Sequence, residues 1–226
     1  PLQLKGKSDF NFLSVFKWEE RKGPDVLFKA YFKEFTRKDN VTLFVVTYLY
    51  GSFNGRDPDT VKEVIYDIAN QLGIKDRSQL PRFEVITNVI PTIDMPRLYK
   101  SVDAFVLPTR GEGWGLPLME AMTMGLPTIA TDWGGQKDFM NHENSLLIKV
   151  EKMVRSDGYD DDSQYKRNLS AEELNDNPQY WAEPSVTHLQ QLMRYVYEHR
   201  EEGKRLGKKA REYIVKNFSQ EKLAEM

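Results

Sequence analysis

The 226-residue chain contains no cysteine and only three histidines, His142, His188 and His199. The first absence removes disulfide scaffolds, thiolate-bound zinc, iron–sulfur clusters and cysteine nucleophiles. The histidines form no metal-ligand spacing. No apolar run reaches the roughly 18 residues of a membrane span, and no signal peptide is visible. Neither sign of charge is in excess: 32 Lys and Arg stand against 34 Asp and Glu, a net charge of −2. That balance gives no global electrostatic case for nucleic acid.

What is present suffices for a core, since 40% of the residues are hydrophobic. Short apolar runs at Asn11–Phe16, Val41–Tyr50, Phe83–Ile90, Asp103–Leu107, Pro127–Thr131 and Ser145–Val150 lack inside/outside alternation, as strands buried on both faces do. Helical patterns lie between them: Pro24–Lys38, Asp59–Leu72 before Gly73, Asp94–Val102, Leu116–Met124 before Gly125, and one or two turns over Gly134–Asn141. This alternation predicts an α/β fold, a Rossmann-like, doubly wound, mostly parallel six-stranded sheet, over residues 1–150. Ligands of such sheets sit at the C-terminal ends of the strands. Residues 151–183 carry nine acids and four bases and read as a polar acidic loop or insertion. Residues 184–226 read as a helical tail on the same domain: Pro184–Glu202, Lys204–Asn217 and the start of a third helix at Ser219. The basic stretch 204–216 reads as a solvated helix face, with contact to anionic lipid as the alternative. The sequons at Asn40, Asn168 and Asn217 arise by chance at this length.

The chemistry concentrates between Leu107 and Asp132. A buried strand ends at Leu107–Pro108, a loop carries Gly111, Gly113 and Gly115, and a helix starts with Pro117 in its first turn. Proline there sacrifices no hydrogen bond. The free N–H groups of Trp114, Gly115, Leu116 and Leu118, with the helix dipole, suit a phosphate or diphosphate. Two carboxylates flank this site, Glu112 in the loop and Glu120, placed in the first helical turn. An ionised carboxylate beside a bound phosphate needs other partners, and hydroxyl pairs are the natural ones. Diphosphate plus hydroxyl pairs describes a nucleotide-sugar. The plainer alternative gives Glu120 only a helix-dipole role, worth about 0.3–1 kcal/mol. Lys22, just before Gly23-Pro24, stands at another helix start beside a strand end, where a cation can neutralise a diphosphate; a solvated loop is its alternative. Asp132-Trp133-Gly134-Gly135 ends the fifth strand, and Trp133 either stacks on a sugar or packs the following turn.

The segment "PTRGEGWGLPLMEAMTMGLPTIATDWGG", with Glu112 and Glu120 separated by seven residues, resembles the signature of retaining glycosyltransferases of the GT-B fold, family 4. Three further segments agree in order: "FLSVFKWEERKGPDVLFKAY" (12–31), "IDMPRLYKSVDAFVLPT" (93–109) and "HENSLLIKV" (142–150). The resemblance implies the C-terminal, donor-binding half of a two-domain enzyme that transfers a hexosyl group. It implies that Glu120 holds ribose hydroxyls and Glu112 lies near the donor sugar. Amides around Gly113, Trp114, Gly115 and Leu116 would receive the diphosphate, Lys22 would contact phosphate, and Ile90 would lie against the base. The family's usual Gly-Arg is replaced by Phe16-Lys17, so Lys17 or Arg21 is the expected second cation, without arginine's bidentate grip if it is Lys17. No cofactor and no metal are implied, and no Asp-x-Asp stretch reads as a metal site. The donor, a UDP- or GDP-sugar, is a substrate.

The sequence begins at Pro1 rather than Met. It is read as one half of a longer protein, whose N-terminal domain would be its partner and would supply the site of an unidentified acceptor. The expected setting is the cytoplasm or the cytoplasmic face of a membrane, with no transmembrane segment in this chain. Two alternatives share the scaffold. A non-catalytic binding module would show a broken glutamate pair or lost loop glycines, and both are intact. A nucleotide-sugar epimerase would bind the same donor. A pyridoxal-dependent phosphorylase would need a Schiff-base lysine in a motif that is not seen.

Overall fold

A computed structural model describes residues 1–49, 54–156, 179–219 and 222. Six parallel strands form the main sheet: β1 (Phe10–Val15), β2 (Val41–Val46), β3 (Arg82–Ile86), β4 (Ala104–Leu107), β5 (Thr128–Thr131) and β6 (Leu146–Ile148), in the order β3-β2-β1-β4-β5-β6. The chain thus runs outward from β1 to one edge, returns, and runs to the other. The strand order reverses between β1 and β4, which opens a crevice at their C-terminal ends. Phe12, Leu13, Leu43, Val45, Phe105, Val106 and Ile129 are wholly buried or nearly so, as expected of strands covered on both faces.

The flanking helices are α1 (Pro24–Glu34), α2 (Pro58–Gln71), α3 (Met95–Tyr99), α4 (Leu116–Thr123), α5 (Val186–Glu198) and α6 (Arg200–Phe218). Both α1 and α4 begin after a left-handed glycine, Gly23 (φ 68°) and Gly115 (φ 89°), with proline in the first turn. Gly23 also permits a close approach. A Cβ there would lie 2.1 Å from the Pro108 carbonyl oxygen, so the β1–α1 loop rests directly on the end of β4.

Four sequence expectations are corrected. Helix α2 begins at Pro58 rather than Asp59, behind an Asp57 cap whose carboxylate accepts from Thr60 N at 2.9 Å. Part of the expected acidic loop is ordered structure. Val150–Arg155 (β7) and Tyr180–Pro184 (β8) pair as an antiparallel ribbon, and the acidic centre, 157–178, lies outside the described residues. Pro184 ends β8 rather than starting a helix, and Ser185 caps α5 by accepting from His188 N at 3.2 Å. The helix break falls at His199 rather than at Gly203, which α6 carries in its interior. Of the expected third helix, only Ser219 and Lys222 are described.

Helix α5 lies against α1, where Arg194 donates to Glu34 (2.7 Å) and Asp39 (3.1 Å). Helix α6 crosses the end of α4 so closely that a Cβ on Gly207 would lie 2.1 Å from the Gly125 carbonyl oxygen. No helix among the described residues is long and apolar enough to cross a membrane.

Candidate nucleotide-sugar site

Three loops meet at the crevice: β1–α1 (16–23), β4–α4 (108–115) and the turn after β5 (132–135). They are laced by backbone. Arg110 N donates to Arg21 O (2.7 Å) and Gly135 N to Glu112 O (2.9 Å). Thr109 Oγ1 reaches Arg21 O at 3.0 Å, and the Arg21 guanidinium donates to Gly111 O at 2.6 Å.

At the centre, Lys22 Nζ donates to Glu112 Oε1 at 2.5 Å; their side chains are 14% and 7% exposed. Arg21 Nη1 stands 3.8 Å from the other Glu112 oxygen. So the two residues read from sequence as phosphate and sugar contacts come together, 90 positions apart in the chain, as a nearly buried ion pair. The start of α4 faces the same space. The N–H groups of Trp114, Gly115 and Leu116 have no backbone partner among the described residues. Leu118 N, expected to be free, bonds Gly115 O at 2.9 Å, because the first turn tightens around the glycine.

Beside this centre, a groove of about 380 Å³ is lined by Phe16, Lys17, Lys22, Thr47, Arg56, Ile90 and Pro117, among others. Ile90 and Lys17 therefore line one groove with Lys22. Lys17 is paired with Glu19 at 2.7 Å. Arg21 is engaged by Gly111 O and by Glu19 at 3.2 Å, which makes it a loop strap rather than a second free cation.

Glu120 falls in the second turn of α4, not the first, because the helix begins at Leu116. The helix-dipole explanation for it is correspondingly weaker, since that effect fades beyond the first turn. It borders a second groove, of about 360 Å³, with Met95, Tyr99, Leu116 and Met119. Tyr99 Oη donates to Glu120 Oε2 at 2.7 Å. Burial and the Glu120 carboxylate both push the Tyr99 phenol above its usual range, so it remains a donor. Met95 lines both grooves, and Leu116 and Pro117 divide them.

Only the amide of Trp114 faces the site. Its backbone is in the loop, but its ring packs on Phe139 (5.4 Å between centroids) and Phe218 (5.9 Å) at the end of α6. Gly113 lies at the exposed tip of the loop, its carbonyl oxygen 1.9 Å from where a Gly135 Cβ would be. Trp133 is 42% exposed. The Asp57-Pro58-Asp59 triplet has an Asp-x-Asp spacing but forms the start of α2.

Sequence reasoning missed three residues. Tyr99 ends a short helix and no motif marks it. Arg56 stacks on Tyr48 (4.4 Å) and donates to Thr87 O (2.9 Å) at the groove wall, and no motif marks it. Arg110, 3% exposed, bonds Asp25 (2.8 and 3.1 Å), Glu183 (2.7 and 2.9 Å) and the Glu20 carbonyl (2.6 Å). Its position inside "PTRGEG" was the available signal.

A parallel sheet in this order, with a glycine loop, a cation and two carboxylates at its switch point, defines a Rossmann-like half of the GT-B class. The chain belongs to the family described as "Glycosyl transferases group 1", whose pattern matches residues 7–156. Among curated relatives, the D-inositol 3-phosphate glycosyltransferase of Arthrobacter sp. strain FB24 is 30% identical over 147 residues, 63% of this chain and 31% of that protein. Among solved structures, the C-terminal domain of the group 1 glycosyl transferase LpcC from Francisella tularensis has a TM-score of 0.65 at 16% identity, covering 95% of this chain and 88% of that one. Anabaena HepE, solved with UDP and glucose, has a TM-score of 0.63 at 18% identity, covering 96% of this chain and 48% of that one. The chain spans only about a fifth to a third of the curated relatives' length.

Proposed function

We propose that this chain is the donor-binding half of a retaining, metal-independent hexosyltransferase, working in the cytoplasm or at the cytoplasmic face of a membrane. One observation carries the reading: Lys22 and Glu112 pair beside the free amides that open α4, and the start of that helix separates a groove lined by Lys22 and Ile90 from one lined by Glu120. The amides and Lys22 suit a diphosphate. The groove beside Ile90 suits a base. Glu120, presented at a half-apolar groove and steadied by Tyr99, suits a pair of ribose hydroxyls. Glu112, on the loop side of the phosphate position, suits sugar hydroxyls. That HepE was solved with UDP and glucose supports a UDP-sugar among the donors. Transfer to an acceptor requires an N-terminal domain, because acceptor positioning supplies a large share of such a barrier.

Calorimetric titration of UDP, GDP and ADP tests this. At least one binds, and Glu120→Gln weakens it about tenfold or more, as loss of a charge-assisted hydrogen bond of about 1.5–3 kcal/mol requires. An unchanged dissociation constant in that variant contradicts the assignment of Glu120 to the ribose.

A further inference from the structure

Lys22 and Glu112 satisfy one another in a nearly buried pair at 2.5 Å. On the reading proposed above, on which this inference rests, the two have different customers: phosphate for Lys22 and sugar hydroxyls for Glu112. The backbone that carries the Glu112 carboxylate is pinned in place. Its own carbonyl accepts from Gly135 N, and the neighbouring Gly111 carbonyl is held by Arg21 and by Thr109 Oγ1 at 2.9 Å. Any ligand that draws on Lys22 is therefore met by the Glu112 charge at the same place.

A nucleotide-sugar and the nucleoside diphosphate left after transfer differ at this point. In the donor, the outer phosphate is esterified, so it bears a single charge, and its sugar brings hydroxyl donors that an ionised carboxylate accepts. In the free diphosphate the outer phosphate is terminal. With a second pKa of about 6, it carries an additional negative charge near neutral pH, and it brings no hydroxyl. The first ligand compensates Glu112 for the loss of Lys22, whereas the second leaves it beside an added like charge with only the more distant Arg21, 3.8 Å from its other oxygen, to offset the repulsion.

We infer that the Lys22–Glu112 pair sets donor-over-product selectivity: it favours the nucleotide-sugar and works against retention of the bare nucleoside diphosphate. A pair that only stapled the two loops would affect both ligands alike.

Calorimetry on the chain with UDP, GDP and their glucose and mannose conjugates tests the inference, with melting curves to monitor folding. Glu112→Gln should bind the nucleoside diphosphate at least fivefold tighter and the nucleotide-sugar at least threefold weaker. Adding Lys22→Met should abolish the gain. Parallel changes for both ligands overturn the selectivity while leaving the donor site standing. A wild-type chain that binds neither ligand overturns the donor-site reading itself, and this inference with it. Should Glu112→Gln fail to fold, the wild type decides: the β-methyl ester of the diphosphate, one charge poorer, should bind at least threefold tighter than the diphosphate. Equal or weaker binding of the ester overturns the inference.

Discussion

A carboxylate on a solvent-facing helix surface can take many rotamers, and recognition of a hydroxyl pair requires one. Tyr99 supplies the constraint for Glu120. Its ring is 1% exposed and fixed in the core, while its phenol emerges to donate to Oε2 at 2.7 Å. Burial keeps that phenol protonated, so it serves as a permanent donor. Tyr99→Phe retains the ring and loses the bond. It should weaken a nucleoside diphosphate about three- to tenfold, the equivalent of one modest hydrogen bond. Because the effect belongs to the ribose side, the bare nucleoside should weaken by the same factor. Calorimetry of both ligands checks this, and unchanged affinities would show that Glu120 needs no support. Glu120 was visible in the sequence through its spacing from Glu112. Tyr99 was not, because a buried tyrosine at the end of a short helix looks the same whether or not its hydroxyl reaches a partner.

At the scale of elements, the crevice exists because separate loops are clamped together, and Arg110 is the clamp. It joins the start of α1 through Asp25, the β1–α1 loop through the Glu20 carbonyl, and β8 through Glu183. Arg110→Met takes a buried cation from Asp25, which keeps Lys29, and from Glu183, and should cost about 3 kcal/mol in urea unfolding at pH 7. A pH signature accompanies it. Burial pushes the Asp25 carboxyl up, but the hydrogen bonds and charges of Arg110 and Lys29 more than offset this, and it ends below its ordinary value of 3.8. A folded-state pKa below the unfolded one stabilises the fold above about pH 3.8 and ceases to do so as pH falls through the folded value. The wild type should therefore lose stability more steeply below pH 4 than Arg110→Met does; parallel acid limbs would contradict the role given to Arg110. The elements themselves were readable where burial is two-sided: the six apolar runs correspond to the six strands of the sheet. The β7–β8 ribbon was not. It is polar on one face, its partners are some 30 residues apart, and its acidic context resembles a loop. The helix boundary was misplaced for a different reason. Gly203 suggests a break, yet it lies inside α6, which passes Pro127 at Gly203 and the Gly125 carbonyl at Gly207 at close range.

For the molecule as a whole, the sheet order creates the site, and no local pattern encodes that order. The 16–23 and 108–115 segments are some 90 residues apart in the chain and adjacent only because β1 and β4 are neighbours at the reversal. The sequence pattern therefore indicated which loops bind. It could not reveal that Lys22 and Glu112 would neutralise each other, nor that the Trp114 ring would turn outward to hold Phe218 of α6. That last contact joins the phosphate loop to the helical tail, so the tail is part of the frame of the site. The most direct test of the account is a map of backbone amide shifts in this chain during titration with a nucleoside diphosphate that binds it. The account predicts the largest shifts at Trp114, Gly115 and Leu116, with a second set at Lys17–Gly23 and around Ile90. Shifts confined to other surfaces, such as the basic cavity around Arg37, Arg77 and Arg82 at the far end of β3, would contradict it.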